Sequence, residues 1–193
     1  MPWEKNFKIG PTLTQAMNLF WAQGFEATSI QDLVRVTGVN RASLYATYGD
    51  KREIFLAALR KYDIEVRRHM LLELAEVLEP ADAIKGVFNK FIDQSATEYG
   101  NWGCFLTNTS LELAAHDTEI AALVNAAQDE MEAFFFSMIR AGQEAGEFNA
   151  ALDTAMQARL TLTSLLGLLV LLRSRPDRVF LEAVRDGALS RLL

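Results

Sequence analysis

The chain is poor in cysteine, proline and histidine, and it has no alternating hydrophobic run. Each shortage excludes something. One cysteine, Cys104, among 193 residues rules out an intrachain disulfide, which suits a reducing compartment. Four prolines and no alternation of apolar and polar residues argue against strands. The opening residues MPWEKNFKIG lack the continuous apolar core of a secretory signal. The longest apolar run, Leu160 to Leu172, is interrupted by Thr161, Thr163 and Ser164. It falls short of the roughly 20 residues that cross a bilayer, so the expectation is a cytoplasmic protein with no membrane partner. The two histidines are His69 and His116. His116 and Asp117 with Glu112 and Glu119 form one acid–base or metal-like group, but Asp117 or Thr118 reads more simply as a helix cap and the glutamates as helix surface. No phosphate-binding glycine loop, nucleophile elbow or zinc spacing appears. The reading is a non-enzyme with no metal and no cofactor.

What is present is helix. Half the residues are hydrophobic, and apolar positions recur at helical spacing between glycine stops. A first helix is expected after Pro11, with Thr12 and Gln15 as a capping box, and it ends at Gly24. A second opens at Thr28–Ser29, with Gln31 as partner to Thr28, and stops at Gly38. A short third is capped by Asn40 and closes at Gly49. A fourth begins at Asp50 and runs past residue 70. Longer helices follow: one from Pro80 to about Tyr99, a short one over Cys104–Ala114, then Thr118 to about Ala145, then Thr154–Ser174, and a last one opened by Pro176. The fold class is all-α. An N-terminal three-helix unit, residues 1–62, is joined to a larger helical body, residues 63–193.

Charge separates these parts. Residues 1–72 hold ten Lys/Arg and seven Asp/Glu, a balance of +3, whereas residues 73–193 hold nine and eighteen, a balance of −9. A polyanion would meet the head. Two short helices joined by the glycine turn Thr37-Gly38-Val39-Asn40 form a helix-turn-helix pattern. Val39 and Leu44 would face Ile30 and Val34, leaving Arg41, Ala42, Ser43, Tyr45 and Thr47 on or near the outer surface, as a recognition helix requires. Arg41 suits guanine edges, Ala42 a thymine methyl, and Ser43 either donor or acceptor. Thr28, Tyr45, Thr47 and Lys51 suit phosphate oxygens.

The stretch GFEATSIQDLVRVTGVNRASLYATYGDKREIFLAAL resembles the N-terminal domain of the TetR/AcrR family of bacterial transcriptional regulators. The resemblance rests on Gly24-Phe25, Thr28-Ser29-Ile30, Gly38-Val39-Asn40, Leu44-Tyr45, Tyr48 and Lys51, in order, over about residues 10–60. Asn40 stands where the family usually has Ser, Thr47 where His is common and Arg41 where Lys is frequent, so no operator sequence carries over. The resemblance implies an all-α homodimer that binds a pseudo-palindromic double-stranded operator, more often as repressor than activator. It also implies a body that binds a small-molecule effector. Thr28, Ser29, Asn40, Arg41, Ala42, Ser43, Tyr45, Thr47, Tyr48 and Lys51 are then the expected DNA-binding residues.

The body is read on its own residues. The run Leu160–Leu172 is apolar nearly all round and should be buried on every side. With the preceding helix it suggests a dimer face of Met131, Phe135, Leu165, Leu168, Leu169 and Leu172; the alternative is an internal core helix. An effector pocket is expected among Phe88, Phe91, Trp102, Cys104, Phe105, Asn108, Phe134 and Met138, although aromatics at this spacing also suit a plain core. Cys104, expected to open a helix, is either a small buried hydrophobe or a thiol sensor whose modification releases DNA. A helical adaptor that does not bind DNA is the remaining alternative.

Overall fold

The computed structural model describes residues 9–97 and 99–193; residues 1–8, the start of the expected head, and Glu98, beyond the end of α6, lie outside the described residues. The described residues form ten α-helices and one π-helical segment, with no strand. Helix α1 spans Ile9–Gln23, α2 Ile30–Thr37, α3 Arg41–Tyr48 and α4 Lys51–Tyr62. The chain continues from α4 without a break through the π segment Asp63–Arg68 into α5, His69–Val77. The body adds α6 (Pro80–Gln94), α7 (Phe105–Glu112), α8 (Thr118–Glu144), α9 (Thr154–Ser174) and α10 (Arg178–Ser190).

The caps explain most boundaries. Asn40, Asp50, Asp117, Asp153 and Asp177 each accept a first-turn backbone N–H at the start of α3, α4, α8, α9 and α10, satisfying donors a helix start leaves free. Three expectations shift. Helix α1 already includes Ile9 and Gly10, so Pro11 lies inside its first turn, where a missing N–H costs nothing. The capping box of α2 is Ser29 with Asp32, not Thr28 with Gln31. Helix α6 ends at Gln94 because Ser95 and Ala96 bond three residues back, and α7 begins after Cys104, which is its N-cap.

Helix α1 lies against α2 and α4 in the head, and α8 against α6, α7 and α9 in the body, with α10 closing on α6 and α9. Aromatic rings run across the junction. Phe20 and Phe25 each meet Phe55 at 5.1 Å between centroids, Phe55 meets Phe105 at 5.3 Å, and Phe105 meets Tyr62 at 5.7 Å. The head and body therefore share one hydrophobic core.

Helix α9, at 21 residues, is long and apolar enough to cross a membrane by length and composition alone, contrary to the sequence reading. One of its faces is buried against α8 and α10; the other is open, not covered all round as expected.

Candidate nucleic-acid interface

Gly38 turns the chain between α2 and α3 at φ +66°, a left-handed conformation that glycine adopts without strain. Leu44, 1% exposed, anchors α3 from beneath, and Val39 is buried beside it. The start of α3 then faces outward: Asn40, Arg41 and Ala42 are exposed, and Ser43, Tyr45 and Thr47 are half-buried. Asn40 Oδ1 accepts from the Ser43 amide at 2.9 Å, so its side chain fixes the helix start. The Arg41 guanidinium lies 5.1 Å from the centroid of the Tyr45 ring.

The other cations of the described head are held internally. Arg35 pairs with Asp32 at 2.6 Å and Lys61 with Glu65 at 2.5 Å. Lys51 donates to the carbonyls of Phe25 at 2.8 Å and Thr28 at 2.9 Å, and lies 4.1 Å from the centroid of the Phe25 ring. Arg52 and Arg60 both reach Glu119 of the body. Among the described residues of the head, Arg41 is the cation that no carboxylate or carbonyl holds.

Further polar ties fasten this unit to the body. Glu112, at the end of α7, accepts from the amides of Phe25 at 3.1 Å and Glu26 at 2.8 Å. Gly24 makes room for that carboxylate: a Cβ there would sit 2.8 Å from Glu112 Oε2, and the backbone φ is +87°. Trp21 Nε1 donates to the Gly103 carbonyl at 2.9 Å. Arg52 donates to both carboxylate oxygens of Asp117, at 2.6 and 3.0 Å. That pair, with the Ile120 amide, holds the Asp117 carboxyl down at about 2.

Inside the body a narrow crevice opens between the π segment, α6, α7, α8 and α9. Its wall is mostly apolar, with Phe91, Leu106, Met131, Leu162 and Leu169 among the lining residues, and Arg67, Cys104, Thr107 and Gln128 bring polar atoms to it. Its free volume of about 30 Å³ holds only a water or two as it stands. Burial opposes the charge on Arg67, but hydrogen bonds to Asp63 and Glu130 outweigh it and raise the pKa. Cys104 lies beside Tyr62, whose phenol burial pushes well above its usual range.

A model of "Bacterial regulatory proteins, tetR family" matches residues 13–58, and one of "Tetracyclin repressor-like, C-terminal domain" matches residues 80–187. The chain is 31% identical over 191 residues to an uncharacterized HTH-type transcriptional regulator, YezE, of Bacillus subtilis, covering 97% of each. The chain belongs to the TetR family. Over 118 residues, 61% of this chain and 56% of the relative, it is 32% identical to the HTH-type transcriptional repressor ComR of Escherichia coli. A cysteine mutant of the TetR-family regulator CifR, solved with a 26-bp double-stranded operator, superposes with TM-score 0.83 at 25% identity, covering 96% of this chain and 97% of that one. The protein is a DNA-binding transcriptional regulator of TetR type, and α2–turn–α3 is its helix-turn-helix.

Within this TetR-type framework the individual side chains sort unevenly. Thr28 is not at the surface: it is fully buried and its hydroxyl donates to the Gly24 carbonyl at 2.6 Å, so it braces the turn. Ser29 is exposed and bonded to Asp32. Tyr48 is half-buried, with its hydroxyl 3.4 Å from the Ile9 carbonyl. Of the expected pocket residues, Phe91 and Cys104 line the crevice. Phe88, Phe105 and Phe134 are core residues outside it. Trp102 packs edge-on to Trp21, Asn108 donates to the Trp102 carbonyl at 2.7 Å, and Met138 packs half-buried at the core's margin. The expected dimer face is corrected outright. Met131, Phe135, Leu165, Leu168, Leu169 and Leu172 are all covered within the single chain, the four leucines at 0–2% exposure, and have no surface left to offer. The apolar residues left open on α8 and α9 are Phe136, Met156, Leu160 and Val170. Composition could not separate these sets, because apolar residues lie on both sides of α9. The sequence also gave no sign of Glu112 or Arg52 as ties, since an isolated charge on a helix reads as solvated surface.

Proposed function

We propose that the protein is a homodimeric repressor that leaves a pseudo-palindromic operator when a small molecule enters the body. The division falls after Tyr62, with residues 1–62 reading DNA and residues 63–193 binding the effector and the second subunit. One observation carries this reading: α7 lines the crevice through Leu106 and Thr107 and holds the helix-turn-helix unit through Glu112. Anything that widens the crevice moves α7, and α7 is fastened to the turn between α1 and α2. Paired heads must meet major grooves about 34–36 Å apart, so a small pivot is enough to lose the fit.

In this reading the second copy packs on the open strip of α8 and α9, where Phe136, Leu160 and Val170 offer apolar surface and exposed Gly167 permits close approach. Arg41, Ala42 and Ser43 read bases; Ser29, Tyr45, Thr47 and Tyr48 meet the backbone. The protein acts in the cytoplasm, on DNA, without catalysis. Fluorescence anisotropy of its upstream DNA across a salt series tests this. Sequence-selective binding with a steep salt dependence is expected, together with a dimer in sedimentation. Equal affinity for random DNA would overturn it.

A second reading rests on Cys104, which lines the same crevice. Its thiol adds to an electrophile that enters there, and the adduct holds the crevice open. Treatment with an electrophile should then release DNA from the wild type and not from Cys104→Ser. Equal release from both excludes it.

A further inference from the structure

Arg67 carries an unused donor. Its side chain is 4% exposed. Nε meets Asp63 Oδ1 at 2.5 Å and Nη2 meets Glu130 Oε2 at 2.6 Å. Nη1 is buried and has no hydrogen-bond partner among the described residues. A guanidinium is a flat fork, so with the Nε–Nη2 edge on the carboxylates, Nη1 is the arm left over. An unmet donor on a buried charged group is among the most costly polar defects a protein interior holds. This one belongs to a residue in the wall of an otherwise largely apolar crevice.

The local charge decides what would meet it. Arg68 closes a ring with the same two carboxylates, at 3.1 Å to Asp63 and 2.7 Å to Glu130. Two guanidiniums and two carboxylates sum to zero. The other polar side chains of the wall, Thr107, Gln128 and Cys104, supply no cation. A carboxylate ligand would therefore place a net negative charge among leucines and phenylalanine with no uncommitted cation opposite it. Such a charge costs several kcal/mol to desolvate. An uncharged acceptor oxygen meets the same N–H without that cost, and a hydrogen bond from a charged donor is stronger than a neutral one.

We propose that the effector is an uncharged apolar molecule with a carbonyl oxygen, such as a ketone, ester or amide, and that Arg67 Nη1 donates to that oxygen. The proposal rests on the reading of the body as an effector-binding domain. The apolar part lies against Phe91, Met131, Leu162 and Leu166, and Met131 is the side chain most able to re-fit around it. The recognition group belongs to the π segment that continues α4. Such interruptions recur at functional sites, and this one ties the bound oxygen to the helix that leads into the head.

The experiment uses the full-length protein and matched probes: a methyl ketone, a carboxylate and a plain hydrocarbon, each on a medium alkyl chain and on a phenyl ring. Affinity is read by thermal shift and calorimetry, and release of operator by anisotropy. Ketones are expected to bind more tightly than their carboxylates and hydrocarbons, and Arg67→Lys to weaken the ketones by roughly 10- to 100-fold while leaving the hydrocarbons unchanged. Independently of any variant, the carbonyl stretch of a bound, isotope-labelled ketone should fall below its value in alkane solvent. Tighter binding of the carboxylates, or an unshifted carbonyl band, overturns the proposal and leaves the effector-binding reading intact. Failure of every probe to bind the body overturns both.

Discussion

In the head, polar side chains fix helix ends and turns, and one cation at the start of α3 remains available to the outside. The body turns a donor the other way: Arg67 Nη1 is buried and has no hydrogen-bond partner among the described residues. Arg41 can wait unpaired because water solvates it. Arg67 Nη1 has no such recourse, so its environment specifies a ligand much more narrowly than an exposed arginine specifies a base. Outward-facing donors make a reader of a large, hydrated surface; an inward-facing donor makes a selector of small molecules.

The largest expected effect is on the join between the regions. Phe105→Ala removes the ring shared by Phe55 and Tyr62 and should cost about 3–5 kcal/mol in denaturant unfolding. If head and body are one cooperative unit, both unfold earlier together; separate transitions would break the comparison into two independent domains. Arg41→Ala should leave thermal stability unchanged and weaken preferred-site binding by about 1–3 kcal/mol. An equal loss on random DNA would show that Arg41 contacts phosphate instead.

Glu112→Gln leaves one of the Phe25 and Glu26 amides poorly met and should lower stability by about 1–2 kcal/mol. Its sharper signature is a blunted effector response with unchanged effector affinity; a full response would remove α7 as the connection. Lys51→Ala should cost about 1 kcal/mol of stability through the lost carbonyl bonds. Unchanged stability with a shallower salt slope would return Lys51 to phosphate contact. The smallest effect concerns pH. Asp117 is held below its ordinary 3.8, at about 2, by Arg52. Its contribution is therefore complete above about pH 4 and is lost as pH falls through 2. Asp117→Asn should remove that acid-limb dependence from the unfolding curve; an unchanged limb would mean the pair contributes nothing.

Much of the head was legible because its signals are local. Asn40 and Asp50 cap helices through atoms three residues away, and Gly38 needs only its own backbone. Even there, Thr28 misled: a hydroxyl at the mouth of a helix suits a phosphate as well as it suits the carbonyl of Gly24, and only the packing of the turn decides. The pocket was harder still. Aromatic spacing marked Phe88, Phe105 and Phe134 equally well as core or lining, and the chain had to close before Phe91 and Cys104 were separated from them.

By itself, then, the sequence determined helix content, the helix-turn-helix and the residues at its tip, since caps, glycine turns and apolar period act within a few positions. The tertiary structure alone decided which face of α9 is inside, that Glu112 and Arg52 bind the head to the body, and that Arg67 is left with an unmet donor. The α9 face depends on packing against α8 and α10, and the Glu112, Arg52 and Arg67 contacts join residues some 60 to 90 positions apart. All of these depend on where close packing leaves each side chain, and no local pattern encodes that.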